Sequence, residues 1–128
     1  MEGIKKLSPN VELNVIGEGF VGIIDDDKSF EEHRAAAKKG VKMAMDKIQS
    51  KEYQLVVLDE LNVACDLGLV TEEELESLVE ARDKEQYLVI TGRNASDWLI
   101  KQADLVTEMK EIKHPYQKGI LAQKGIDW

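Results

Sequence analysis

Tyr53 to Asn62 reads YQLVVLDELN, and the fold turns on how this stretch is read. Leu55, Val56, Val57 and Leu58 form a continuous apolar run that leads straight into Asp59 and Glu60. Such a run predicts a strand buried on both faces, as strands are in parallel sheets. Two adjacent carboxylates at its C-terminal end fall where open α/β sheets place their ligands. The pattern is that of a Walker B strand. There the Asp holds a nucleotide's Mg²⁺ through oxygen, and the Glu is near enough to polarise a water or bind in an outer shell. The plainer alternative is a buried strand ending in two solvated acids, and the stretch alone does not choose between them.

Working outward, Tyr87 to Thr91 (YLVIT) predicts a second buried strand that ends in Gly92-Arg93-Asn94. An Arg just past a strand end, on the same edge as Asp59, could grip a phosphate bidentately. It could equally pair with an acid, Asp59 or Glu60 among them. Val11 to Ile16 (VELNVI) and Leu105 to Met109 (LVTEM) read as two further short strands. The first runs into Gly17-Glu18-Gly19-Phe20, where two close glycines permit a sharp turn or the close approach of a ligand. Phe20 is then presented from a loop, although a lone aromatic more often plugs a core edge. Asp25-Asp26-Asp27 lacks the alternating spacing of a calcium loop and reads as a solvated turn.

The helices announce themselves by their caps. Ser29 with Glu32, and Thr71 with Glu74, are capping boxes. The first opens a helix running to about Gln49, with Phe30, Ala37, Val41, Ala44, Met45 and Ile48 as its apolar stripe. Gly40 inside it allows close packing on the sheet, and His33 reads as a surface residue. The second helix carries Leu75, Leu78 and Val79 on one face, and three acids in its first turn suit the helix dipole. Asn62 to Leu69 reads as an irregular or helical segment ending near Gly68. Ser96 or Asn94 caps a short helix with Trp98, Leu99 and Ala103. His114, before Pro115, should be extended.

At 128 residues the chain is expected to form a single domain over 1–128, large enough for a core. A net charge of −8 argues against nonspecific binding to nucleic acid or anionic membranes. No apolar run approaches the roughly 20 residues of a membrane span, and MEGIKKLSPN lacks the apolar core of a signal peptide. The one cysteine, Cys65, excludes an internal disulfide and fits a reducing, cytoplasmic setting. Lys110, Lys113, Lys118 and Lys124 make the C-terminal stretch the one locally basic segment, suited to an anionic ligand or simply to charge balance.

VVLDELN, VITGRN, ADLVTEMKEIKHPYQKGILAQKGIDW and the earlier VELNVIGEGF together resemble the corrinoid (cob(I)alamin or cob(I)yrinic acid a,c-diamide) adenosyltransferases of the CobA/CobO/BtuR type. The resemblance runs from Val11 to Trp128. It implies an α/β fold, a small parallel sheet with helices, as a truncated P-loop NTPase (RecA-like) domain. It implies transfer of the 5′-deoxyadenosyl group from ATP to the cobalt of a reduced corrinoid in cobalamin biosynthesis, with release of triphosphate. There Co(I) is the nucleophile, so the protein's task is positioning and charge stabilisation. By the same resemblance Asp59 and Glu60 are the catalytic acids acting on Mg²⁺. Thr91, Gly92 and Arg93 lie at the nucleotide, and Glu18 and Phe20 lie beside the corrin.

The chain departs from the family's pattern at two places. The family continues GEGFTW, whereas here Phe20 is followed by Val21-Gly22. Nor do these 128 residues contain a GxxxxGK[ST] phosphate loop; in the family that loop precedes the part matched here. The nest of N–H groups and the Lys that hold triphosphate are then missing from this stretch. Without the phosphate-loop strand the four strands are expected to pair in sequence order. Successive right-handed crossovers would put the helices on one face and leave the other bare. Parallel sheets are covered on both sides, so a homodimer or a partner subunit over the bare face is expected. Besides an enzyme, the sequence admits a non-catalytic nucleotide- or corrinoid-binding or protein-interaction module, or one half of a split enzyme.

Overall fold

Ser29 and Glu32 start the longest helix as their spacing predicts. A computed structural model of the chain describes residues 2–16 and 29–123. In it the Glu32 N–H donates to Ser29 Oγ, and the Ser29 N–H donates to the Glu32 carboxylate at 2.7 Å. Two orphan donors of the first turn are thereby satisfied. A short helix, α1 (Glu2–Lys5), precedes this one, α2 (Phe30–Ser50). Lys51 ends α2 in the left-handed conformation, its N–H returning to Ile48 O.

Then follow β1 (Leu55–Leu58), α3 (Leu61–Asp66), α4 (Glu72–Glu80), β2 (Tyr87–Ile90) and α5 (Asp97–Gln102). A 3₁₀ turn, Pro115–Lys118, comes last among the described residues. Gly68 closes α3: its N–H bonds Cys65 O and the Leu69 N–H bonds Ala64 O, the Schellman arrangement that needs its positive φ. Thr71 caps α4 with Glu74 in the second capping box. Glu74 also pairs with Arg34 of α2 at 3.0 Å, and the Arg34 guanidinium donates to Leu69 O as well. Burial pushes the Glu74 carboxyl up, but the Thr71 N–H and the Arg34 guanidinium outweigh it and hold the carboxyl below the ordinary range. Ser96, not Asn94, caps α5.

β1 and β2 pair in parallel, Leu55 with Tyr87 through Leu58 with Ile90. They are the only strands among the described residues, so the expected four-stranded sheet is corrected to two. Residues 11–16 are irregular; they dock on α2 instead. Lys47 of α2 holds Glu12 at 2.8 Å, the Tyr53 hydroxyl donates to the same carboxylate, and Ile16 sits over Gly40. A Cβ on Gly40 would lie 2.5 Å from Ile16 Cγ2, so this glycine admits the N-terminal segment and not, as expected, the sheet. Residues 104–113 make no backbone–backbone hydrogen bond among the described residues, and Leu105 is 85% exposed. LVTEM has strand composition but no partner edge among the described residues, and a strand exists only through its neighbour.

Ile48, Leu75 and Leu78 are the largest fully buried side chains among the described residues, on α2 and α4, which pack together. Each contributes about 1.5–3 kcal/mol by leaving water. His33 belongs to the same stripe. It is 5% exposed, against its expected place on the surface, because it falls four residues before Ala37 on the inward face. Phe30, assigned to that stripe, is half exposed.

Among the described residues the sheet is covered on one side only. Val56, Leu58, Leu88 and Ile90 are half-buried, whereas Leu55 (53%) and Tyr87 (73%) lie open on the other face with Val57 and Val89. This corrects the reading of β1 as buried on both faces and matches the expectation of one bare face. No helix among the described residues is long and apolar enough to cross a membrane.

Candidate functional site

The parallel register sets the site. Because Leu58 pairs with Ile90, the next residues, Asp59 and Thr91, emerge side by side at the C-terminal ends of the two strands. The Thr91 N–H extends the ladder to Leu58 O at 3.2 Å, and Thr91 O accepts from the Asn62 N–H at 3.1 Å. Thr91 Oγ1 donates to Asp59 Oδ1 at 2.6 Å and accepts from the Glu60 N–H at 3.0 Å. All the hydrogen-bonding groups of Thr91 are therefore engaged with the end of β1 and the start of α3.

Glu60 turns the chain from β1 into α3 in the left-handed conformation, φ 58°. That region suits Gly; a Glu held there is strained by about 1–2 kcal/mol, and such strain gathers at functional sites. Gly92 has φ 121°, and a Cβ on it would meet Asn62 Cβ at 3.0 Å and Val63 N at 3.1 Å. Only glycine lets the end of β2 lie this close to α3. Asn94, also left-handed, donates from Nδ2 to Asp66 at 2.8 Å and fixes the loop to α3.

Three functional groups at this end remain open. Asp59 is exposed and only its Oδ1 is engaged among the described residues. The Glu60 carboxylate and the Arg93 guanidinium are exposed, with no hydrogen bond or ion pair among the described residues. Arg93 therefore does not pair with Asp59 or Glu60, the plainer reading of its position. Among the described residues no three His, Cys, Asp or Glu side chains gather into a metal cluster. Two carboxylates with hard oxygen donors do suit Mg²⁺, which keeps several waters and binds through one or two acids plus substrate phosphates. The free Arg93 suits the same phosphates. Glu18 and Phe20 lie outside the described residues, as do Asp25 to Asp27 and Lys124.

The opposite ends of the strands are arranged differently. A hollow of about 280 Å³ is lined by Lys51, Tyr53, Gln54, Asp83, Glu85 and Gln86. Lys51 pairs with Asp83 at 2.6 Å, and buried Gln86 donates from Nε2 to Tyr53 O at 2.8 Å. Cys65 is half-buried. Burial, then the Glu74 and Glu72 carboxylates, push its thiol up, away from the thiolate a reactive cysteine needs.

The profile of the family described as ATP:corrinoid adenosyltransferase BtuR/CobO/CobP matches residues 1–128. The chain belongs to this family. It is similar to a corrinoid adenosyltransferase of Pseudomonas aeruginosa, 36% identical over 124 residues, which are 97% of this chain and 60% of that protein. A corrinoid adenosyltransferase of Sinorhizobium is 38% identical over 118 residues, 91% of this chain and 54% of that protein. One from Escherichia coli K12 is 30% identical over 118 residues, 92% of this chain and 59% of that protein. The chain thus spans little more than half the length of these adenosyltransferases.

What sequence reasoning did not foresee is the bond from the Thr91 hydroxyl to Asp59. The signal was present in the two strand ends: equal-length apolar runs ending in Asp and Thr imply that the two meet if the strands pair in register.

Proposed function

We propose that this chain supplies the metal–nucleotide end of an ATP:corrinoid adenosyltransferase in cobalamin biosynthesis. The observation that carries the proposal is the exposure, at one end of a parallel sheet, of the Asp59 and Glu60 carboxylates and of Arg93, which has no partner among the described residues. Asp59 and Glu60 would hold Mg²⁺, whose charge offsets that of the ATP phosphates. Arg93 would take a phosphate oxygen, and the turn at Thr91-Gly92 shapes the floor beneath. In the reaction that membership of the family suggests, the reduced corrinoid's Co(I) bonds to C5′ of ATP. The C5′–O bond breaks, and triphosphate leaves with its electron pair. The residues described here would act on that leaving group by orientation and charge. Glu18 and Phe20 are assigned to the corrin side by resemblance alone.

A second reading has its own support. The 128 residues hold no GxxxxGK[ST], so the cradle for the β- and γ-phosphates must come from other residues if triphosphate is to be held firmly. In that reading the chain is a binding module, or one half of a site completed by another polypeptide. The bare sheet face with Leu55, Val57, Tyr87 and Val89 favours a second copy or a partner subunit in either case.

Calorimetric titration with MgATP, beside Asp59→Ala, tests the first reading. Binding in the micromolar range, weakened about tenfold or more by the substitution, is the expected result. No heat up to millimolar MgATP would refute nucleotide binding by the chain alone. Sedimentation at micromolar concentration tests the second: a species heavier than the monomer is expected of the pure chain if a copy covers the face, and a lone monomer would exclude a second copy.

A further inference from the structure

From the geometry of the strand ends we infer that Thr91 is a positioning residue for Asp59 and not a nucleotide ligand. The inference deepens the proposed metal–nucleotide site and rests on it. A threonine hydroxyl has one O–H to give. Here that proton goes to Asp59 Oδ1 at 2.6 Å, the usual length for a hydroxyl bonded to a carboxylate. The hydroxyl's oxygen in turn accepts from the Glu60 N–H at 3.0 Å. The hydroxyl is thus spent on the two acidic residues themselves and has no donor left for a phosphate.

The backbone of Thr91 is equally fixed. Its N–H is bonded to Leu58 O and its carbonyl to the Asn62 N–H. Asn62 is buried, and Gly92 allows it to pack against the strand end without a Cβ in between. The hydroxyl is therefore mounted on a rigid support, half-buried, whereas Asp59 is exposed and would otherwise sample its rotamers freely. One carboxylate oxygen is tied back and the other, Oδ2, is left open. That arrangement favours attachment of a metal through a single oxygen. It also keeps Asp59 from swinging towards Arg93. A hydrogen bond of this kind behind a ligating carboxylate is worth roughly 10- to 100-fold in metal affinity.

The same bond explains how Glu60 is held in its left-handed turn. The Glu60 N–H has Thr91 Oγ1 as acceptor, which fixes the backbone at the point where β1 becomes α3. The hydroxyl thus sets the rotamer of one acid and the direction of the other.

The test uses the full chain, ATP and Mn²⁺ as a paramagnetic stand-in for Mg²⁺, with bound Mn²⁺ read by electron paramagnetic resonance. Four proteins are compared: wild type, Asp59→Ala, Thr91→Val and Thr91→Ser. The expected result is Mn²⁺ binding by wild type in the presence of ATP, loss in Asp59→Ala, a 10- to 100-fold weakening in Thr91→Val, and near-complete rescue in Thr91→Ser. The line shape of bound Mn²⁺ should also broaden in Thr91→Val, as the ligand loses its single orientation. Undiminished binding by Thr91→Val, with Asp59→Ala defective, would overturn the positioning role and leave the metal site standing. Equal loss in Thr91→Val and Thr91→Ser would also overturn it, since the serine restores the hydroxyl. Binding unchanged in Asp59→Ala, or absent in wild type, would overturn the metal site and this inference together. Should Thr91→Val melt below the assay temperature, Thr91→Ala against Thr91→Ser gives the same contrast.

Discussion

The two ends of the sheet are built from similar residues and used in opposite ways. At the N-terminal end Lys51 is paired with Asp83, Glu12 with Lys47 and Tyr53, and Gln86 reaches across to Tyr53 O. The charges of Lys51, Asp83, Glu12 and Lys47 are consumed by one another. At the C-terminal end the order is in the backbone and in Thr91, while Glu60, Arg93 and half of Asp59 are exposed and have no partner among the described residues. One end spends its polar groups on holding the fold; the other fixes a rigid floor and leaves its charges open. Residue type alone does not distinguish a structural acid from an available one. The partner does.

The largest effect that would sharpen the contrast is expected at the structural end. Gln86→Ala removes the donor to Tyr53 O from a buried position and should destabilise the fold by about 1–3 kcal/mol in urea unfolding. MgATP affinity should not change. A stable Gln86→Ala would mean that this end does not carry the load assigned to it.

A smaller effect of opposite sign is expected at the other end. Glu60→Gly relieves the left-handed turn at φ 58° and should stabilise the chain by up to about 1 kcal/mol while weakening metal binding. Unfolding midpoint and Mn²⁺ affinity, measured on the same sample, report both. A Glu60→Gly protein less stable than wild type would mean that the turn is not strained, and the contrast would fail on that side.

The smallest effect concerns pH. Hydrogen bonds from Lys47, then Tyr53 and Asn14, hold the Glu12 carboxyl down to about 2, from an ordinary 4.5, and Lys47 is raised by the same bond to Glu12. A carboxyl lowered on folding adds stability fully present above its unfolded value and lost as pH falls through its folded one. Docking of residues 11–16 should therefore persist at pH 5 and weaken between about pH 4.5 and 2. The pair is exposed, so the effect on global stability is small. Carboxyl carbon shifts followed by NMR should show Glu12 titrating below the ordinary range in wild type and returning to it in Lys47→Met. A midpoint near 4.5 in wild type would show that the contact does not hold in solution.

Much of this was legible in the chain. Both capping boxes, the central strand and its acidic end, and the Thr91-Gly92-Arg93 turn were readable because each is a local pattern. What failed was non-local. LVTEM has the residues of a strand, but a strand needs a neighbouring edge, and among the described residues none reaches it. VELNVI alternates as a strand does, yet Glu12 finds Lys47 and Ile16 finds Gly40, 24 positions and more along the chain. His33 was misplaced because a polar residue in a first turn reads as exposed until the facing elements are known. The bond from Thr91 to Asp59 joins residues 32 positions apart and follows only from the register of β1 and β2.

The most direct measurement is a map of where MgATP touches the sheet, from amide shifts of ¹⁵N-labelled protein during titration. The account predicts that Asp59, Glu60 and Thr91 to Asn94 move together, and that Asp59→Ala abolishes the change. Shifts gathered instead on Lys51, Gln54 and Asp83 to Gln86, around the hollow at the opposite end, would contradict it.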